Sequence, residues 1–209
     1  MINSRLRLKS QADPRWTRSR NALREAVLEL AATQPVSEIS VRSLTKQAGV
    51  DRSTFYNHAA SPQELLRDIL REEIDEIYNA FVHDFAESRH APHEAQERGF
   101  RAVLSHLKSR ADIYRSSLLN DDDDLVMRVI GVQFVEKAQD MFNEHNYPIE
   151  RAAEVTEFER DFGSRVAALG MVGGITTWLL EDPTLDEDTF VSSYYRFMPN
   201  WFTMINATS

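Results

Sequence analysis

Cysteine is absent from the 209 residues. That excludes disulfides, thiol nucleophiles and thiolate metal sites, and it fits a reducing cytoplasm. Long apolar runs are missing too. The longest weakly polar stretch, Val166 to Leu180, has 15 residues, is broken by Gly and Thr and is bounded by Arg165 and Glu181. It is too short to cross a bilayer and is suited to a buried helix, so no membrane partner is expected. The positive charges of MINSRLRLKS are not followed by an apolar run, so nothing there reads as a secretory signal. No GxSxG, HExxH or P-loop occurs, and no Ser, His and Asp are grouped as a triad, so no catalytic residues and no cofactor are expected. His83, His90 and His93 lack the carboxylate–histidine spacing of a zinc site, and Pro92 breaks the helix between them, so no metal site is expected either. Strand patterns and internal repeats are also lacking, which leaves an all-α chain.

The composition is that of an ordinary globular protein, 42% hydrophobic and 27% charged, with length for one or two domains and a real core. Its net charge of −9 is unevenly divided. Residues 1–60 carry ten Lys or Arg against five acids, a net +5, and residues 61–209 carry 14 bases against 28 acids, a net −14. Only the first part is suited to a polyanion, and the acidic remainder is repelled by one, so the molecule should approach nucleic acid by one end.

The most informative stretch runs from Ser37 to Glu64. Ser40 is placed to cap a short helix over Val41 to Ala48, in which Val41, Leu44 and Ala48 share one face and Arg42, Ser43 and Lys46 lie on the others. Gly49 stands where a helix end needs a left-handed residue. Asp51 then caps a second short helix, expected over Arg52 to Ala59. There Val50 and Phe55 point back at the first helix, leaving Arg52, Ser53, Thr54, Tyr56, Asn57 and His58 mostly outward. Ser, Thr, Asn and aromatics in a row make a poor free-standing helix. Such a surface is more useful against phosphates and base edges than against water.

Ser40-Val41-Arg42-Ser43-Leu44, Ala48-Gly49-Val50, Thr54-Phe55-Tyr56-Asn57-His58 and Pro62-Gln63-Glu64-Leu65-Leu66 together resemble the N-terminal domain of the TetR family of bacterial transcriptional repressors, over about Thr17 to Leu70. The resemblance implies a helix-turn-helix whose second helix enters the major groove. Arg42 and Ser43 would then touch phosphates, Arg52, Ser53 and Asn57 would lie nearest base edges, and Thr54, Tyr56 and His58 would grip the backbone. Two positions depart from the family. Ala59 stands where an aromatic is usual, which implies looser packing under the recognition helix, and Pro62 stands where a Lys is usual, which removes a phosphate contact.

Upstream, a helix from Asp13-Pro14 or Thr17 to about Thr33 carries the stripe Leu23, Ala26, Val27, Leu30 and Ala31. Residues 1–13 read either as a solvated tail or as a basic arm for the minor groove. Downstream, Ser61-Pro62-Gln63-Glu64 is a capping box that starts one long helix through Leu66, Ile69, Leu70, Ile74, Ile77, Phe81 and Phe85. It is the mechanical link between a domain over 1–60 and a second over 61–209. Further helices are expected at His93 to Ser109, Asp112 to Leu119, Leu125 to His145, Ile149 to Leu180 and Leu185 to Ile205, with the acids Asp121 to Asp124 as a solvated helix start.

The last two helices are the most apolar. Val155, Phe158, Phe162, Val166, Leu169, Val172, Ile175 and Leu179 follow one face, and a capping box at Thr184 to Glu187 precedes a segment that is apolar nearly all round. Trp178 ahead of Glu181 and Asp182 is similar to the penultimate TetR-family helix. That implies a four-helix homodimer interface with Phe162, Val166, Val172, Trp178, Tyr194, Met198 and Trp201 in it; a plain intrachain core is the other reading. The expected function is a cytoplasmic homodimeric repressor that binds double-stranded DNA at a palindromic operator and is released by a small-molecule effector. A helical interaction module without DNA binding, or a helical enzyme, stays open at this stage.

Overall fold

The computed structural model describes residues 13–87, 92–120, 125–144, 156–182 and 184–197. Among them the chain is helical throughout, without strands, in the order α1 (Pro14–Ala31), a 3-10 turn (Val36–Glu38), α2 (Val41–Ala48), α3 (Arg52–Tyr56), α4 (Pro62–Glu87), α5 (Pro92–Ser109), α6 (Ala111–Leu118), α7 (Leu125–Glu144), α8 (Glu157–Glu181) and α9 (Glu187–Phe197). The basic tail, the acids Asp121 to Asp124, the loop histidine His90, Val155, Met198 and Trp201 lie outside the described residues. No described helix is long and apolar enough to cross a membrane.

The helix starts follow local hydrogen-bonding chemistry. Asp13 accepts from the Arg15 N–H ahead of Pro14, and Ser61 accepts from the Glu64 N–H while the Glu64 carboxylate reaches back to the Ala60 N–H at 3.0 Å. At two helix starts the expected boundaries are corrected. The helix expected from Ile149 cannot run unbroken, because Thr156 is extended and forms a reciprocal capping box with Glu159, so α8 starts at Glu157. The last helix begins at Glu187 rather than Leu185. Asp182 takes up the Thr184 N–H and hydroxyl and the Asp186 N–H, and Asp186, not Thr184, accepts from the Thr189 N–H.

α1 packs on α2 and on α4, which the 3-10 turn also meets, with Leu23, Val27, Leu44, Phe55, Leu65 and Leu66 fully buried in the shared core. Ala59, at the position where the resembled family usually has an aromatic, is buried in the same cluster. From there α4 passes between α5 and α7, which in turn rests along α8. Ion pairs fix α4 on both sides: Arg71 with Glu136 at 2.9 Å and Lys137 with Asp75 at 2.6 Å toward α7, and Arg98 with Asp84 at 2.9 Å toward α5. Arg115 of α6 donates to the carbonyls of Leu179 and Asp182 at the C-terminal end of α8, where a cation is favoured.

The stripe expected along α8 divides. Ile175, Trp178 and Leu179 face inward, whereas Phe158 (74% exposed), Phe162 (60%) and Leu169 (61%) stand in solvent with Val166 beside them. What α8 turns toward α7 in its first half is made of small residues, Gly163, Ser164, Ala167 and Ala168, which allow close backbone approach.

Candidate functional site

Two neighbouring turns of backbone chemistry build the site. The Ser40 hydroxyl accepts from the Ser43 N–H at 3.0 Å and starts α2. Gly49 ends it with φ +65° and ψ 30°, and nothing lies within 4 Å of where a Cβ would stand. The demand for glycine is therefore conformational, not steric. Gly49→Ala is expected to cost about 1 kcal/mol, read as a melting temperature lower by roughly 2–4 °C. Two residues on, the Asp51 carboxylate accepts from the Thr54 N–H at 2.7 Å and the Ser53 hydroxyl at 2.7 Å. Those bonds, the Ser53 hydroxyl foremost, hold its carboxyl below the usual range, so the cap stays charged at neutral pH.

α3 is a single turn and a half, ending at Tyr56 rather than Ala59, because Asn57 takes the cap position and His58 and Ala59 donate back to the Phe55 carbonyl. Phe55 is completely buried and anchors α3 to the core. The opposite side presents polar groups to solvent. Arg52, Ser53, Tyr56 and Asn57 are exposed, Thr54 is half-buried, and the Arg52 guanidinium lies 3.4 Å from the Tyr56 hydroxyl. On α2, Arg42 and Lys46 are exposed and Ser43 is half-buried, its hydroxyl donating to the Ser40 carbonyl.

His58 is placed differently. Its Nε2 lies 2.7 Å from the Ser19 hydroxyl and its ring packs on Trp16 at 4.7 Å, so it ties α3 to the first helix. Burial, and then the nearby Arg20 charge, push its pKa down, leaving it neutral at pH 7. Arg15, Trp16, Ser19, Thr54, Asn57 and His58 line one shallow groove between α1 and α3. The contribution of Arg15, Trp16 and Ser19 was missed in the sequence, because it depends on how α1 lies across α3 and no spacing records that.

The residues expected at a dimer contact separate into three groups. Phe162 and Val166 are exposed on α8, and Val172 is half-buried. Trp178 and Tyr194 are covered by their own chain, Trp178 against Phe190 with its indole N–H donating to the Asp186 carbonyl, and Tyr194 against Phe100. Met198 and Trp201 are not among the described residues.

Two interior features lie beyond the surface. A cavity of about 140 Å³ sits between α4, α5, α7 and α8, its walls including Ile77, Phe81, Phe100, Phe134, Ala168 and Met171. Next to it, Glu73 of α4 is held by three groups: Arg24 of α1 at 2.5 Å, Arg110 at 3.0 Å and His106 Nδ1 of α5 at 3.4 Å. Burial alone would raise the Glu73 carboxyl, but the Arg110 hydrogen bond and the three positive or polarisable neighbours outweigh it and hold it below the ordinary range. The buried Tyr114 hydroxyl, whose proton burial retains, lies 2.8 Å from His106 Nε2, on the side of the ring away from the Nδ1 that faces Glu73. Three cysteine, histidine or acidic groups suited to a metal are not brought together among the described residues.

No protein-family model matches the chain. An uncharacterized HTH-type transcriptional regulator of Bacillus subtilis, YxbF, is 31% identical over 100 residues, which is 47% of this chain; the match spans about a quarter (26%) of that protein's length. Among solved structures, Thermus thermophilus FadR, a TetR-family repressor described in complex with lauroyl-CoA, superposes with a TM-score of 0.62 at 18% identity over 85% of this chain and 91% of its own. FadR of Bacillus halodurans, a fatty acid degradation regulator, gives 0.62 at 14% identity over 93% and 97%. NalD of Pseudomonas aeruginosa, the secondary repressor of the MexAB-OprM efflux pump, gives 0.54 at 16% over 88% and 97%. From the two capped helices at its head to the paired α8 and α9 at its end, this chain has the all-α fold of the TetR-family transcriptional regulators.

Proposed function

We propose that the protein is a homodimeric transcriptional regulator that binds a palindromic DNA operator and is released by a small molecule held between α4, α5, α7 and α8. The observation that carries this reading is the α2–Gly49–α3 unit: one buried anchor, Phe55, supports a solvent-facing array of Arg42, Arg52, Ser53, Tyr56 and Asn57 on the positively charged end of an acidic chain. Residues 1–60 form the DNA-binding part and 61–209 the effector-binding and dimerising part. Arg42, Ser43, Thr54 and Tyr56 contact phosphates, and Arg52, Ser53 and Asn57 face base edges. His58, held by Ser19, supports that surface by fixing α1 against α3.

Two considerations support a dimer. Two recognition helices must reach half-sites about 34 Å apart, and Phe158, Phe162, Val166 and Leu169 form an exposed apolar strip on a single helix that a second copy would cover. The effector would act on α4, whose Ile77 and Phe81 line the cavity while Glu73, one turn before, holds Arg24 of α1.

A gel shift against promoter DNA tests the reading. Arg42→Ala and Tyr56→Phe are expected to weaken binding to all sequences about equally, whereas Arg52→Ala and Asn57→Ala relax preference at one or two positions by roughly 1–3 kcal/mol each. If all four variants change only thermal stability, α2 and α3 are an ordinary helical hairpin.

A further inference from the structure

We infer that the cavity between α4, α5, α7 and α8 takes a small uncharged hydrocarbon, of about the size of toluene, and rejects an anion of the same size. This rests on the reading of that cavity as the effector site and names the class of effector.

Volume is the first observation. The cavity holds about 140 Å³, and an apolar cavity of roughly 150 Å³ is known to admit benzene. The second is chemistry. Its accessible wall is almost entirely carbon. Water needs two to four polar partners to stay ordered in such a space, and that wall exposes almost none. Burying an unpaired charge there is strongly unfavourable.

Lys137 is the charged side chain in the wall, and it is already engaged. Its ammonium lies 2.6 Å from an Asp75 carboxylate oxygen and 4.6 Å from the centre of the Tyr78 ring. An incoming carboxylate would have to compete with Asp75 for it.

The third observation concerns how the space is kept open. A Cβ on Gly99 would stand 2.6 Å from Cδ2 of Phe81. Without one, the Phe81 ring lies directly on the α5 backbone. The glycine thus lets an aromatic wall sit close against a neighbouring helix, and Phe81, Phe100 and Phe134 line the space with aromatic rings suited to a planar apolar guest.

The test uses the full-length protein without DNA, with toluene and benzoate as probes in calorimetry and ligand-observed NMR. Toluene is expected to bind saturably, and benzoate more than about a hundredfold more weakly, given the cost of an unpaired buried charge. Ala168→Leu, which fills the cavity from α8, is expected to abolish toluene binding. Ala138→Leu does the same from α7 and serves if the first variant fails to fold, folding being checked by circular dichroism.

No saturable toluene binding to the wild type, benzoate binding as well as toluene, or toluene binding that survives both folded variants would each overturn the inference. Gel shifts are run separately. A protein that binds operator but not toluene loses only the effector class, and one that binds toluene but no duplex loses the regulator reading while the cavity assignment stands.

Discussion

The double substitution Phe162→Asp and Leu169→Asp is expected to leave the protein folded but monomeric, and to cut operator binding by more than a hundredfold at nanomolar protein. Both side chains are about 60% exposed in the single chain, so charging them removes little from the interior. Covered by a second copy, the same positions would place four carboxylates in an apolar contact, where unpaired buried charge is not tolerated. Operator affinity falls when dimerisation is lost, because each half-site then has to be bound independently, without the gain in effective concentration that a linked second head supplies. Sedimentation velocity checks the first part and a gel shift the second. Trp178 and Tyr194 are poor choices for this test, although both were expected at the same contact, because their own chain buries them and charging them would destabilise the monomer. Dimers that persist at unchanged stability would move the contact away from this face of α8.

The second large effect concerns Glu73. Glu73→Gln is expected to destabilise the protein by about 2 kcal/mol, lowering the melting temperature by roughly 4–8 °C. The effect is smaller than for a fully buried broken pair because Arg24 and Arg110 are about one-third exposed, at 32% and 31%, so solvent screens them. The pH dependence is more diagnostic. A carboxyl held below its ordinary value contributes stability that is complete above about 4.5 and is lost as pH falls through the folded value. His106 is pushed down by burial, with Glu73 pulling it up and Arg110 and Arg24 pushing it further down. A histidine held below about 6.5 contributes stability present above that pH and lost on acidification through the folded value. In the Glu73→Gln variant His106 loses its one upward influence. The loss of stability just below pH 6.5 should therefore steepen, while the acid limb below 4.5 should shrink. His106→Gln should flatten the first window and spare the second. Thermal melts from pH 7.5 to 4 check both, and identical pH profiles in all three proteins would remove Glu73 and His106 from the account.

How much of this was legible in the chain depends on the range over which the signal acts. α2 and α3 start where Ser40 and Asp51 place them, since a cap is a contact between residues three apart, and Gly49 marks the turn for the same local reason. The three-residue error at the end of α3 arises because Asn57 closes the helix with bonds that no pattern of apolar residues reports. Around Thr184, Asp182 and Asp186 won the competition for backbone N–H groups over the Thr, being carboxylates. The stripe on α8 was visible as a periodicity, but periodicity does not say whose atoms cover it. Small residues such as Ala167 and Ala168 face the neighbouring helix while Phe158 and Phe162 face out. Nothing in the sequence announces the Glu73 network, because Arg24, Glu73 and Arg110 are 49 and 37 residues apart and meet only through the packing of α1, α4 and α5.

Selection of bound duplexes from a randomised DNA pool by the full-length protein tests the central claim most directly. The account predicts an inverted repeat whose half-site centres lie about 34 Å apart or a multiple of it. It also predicts that Asn57→Ala recovers the same spacing with relaxed preference at one or two positions per half-site. Recovery of no sequence above background, or of the same sequence by a protein lacking the Arg52 and Asn57 side chains, would contradict it.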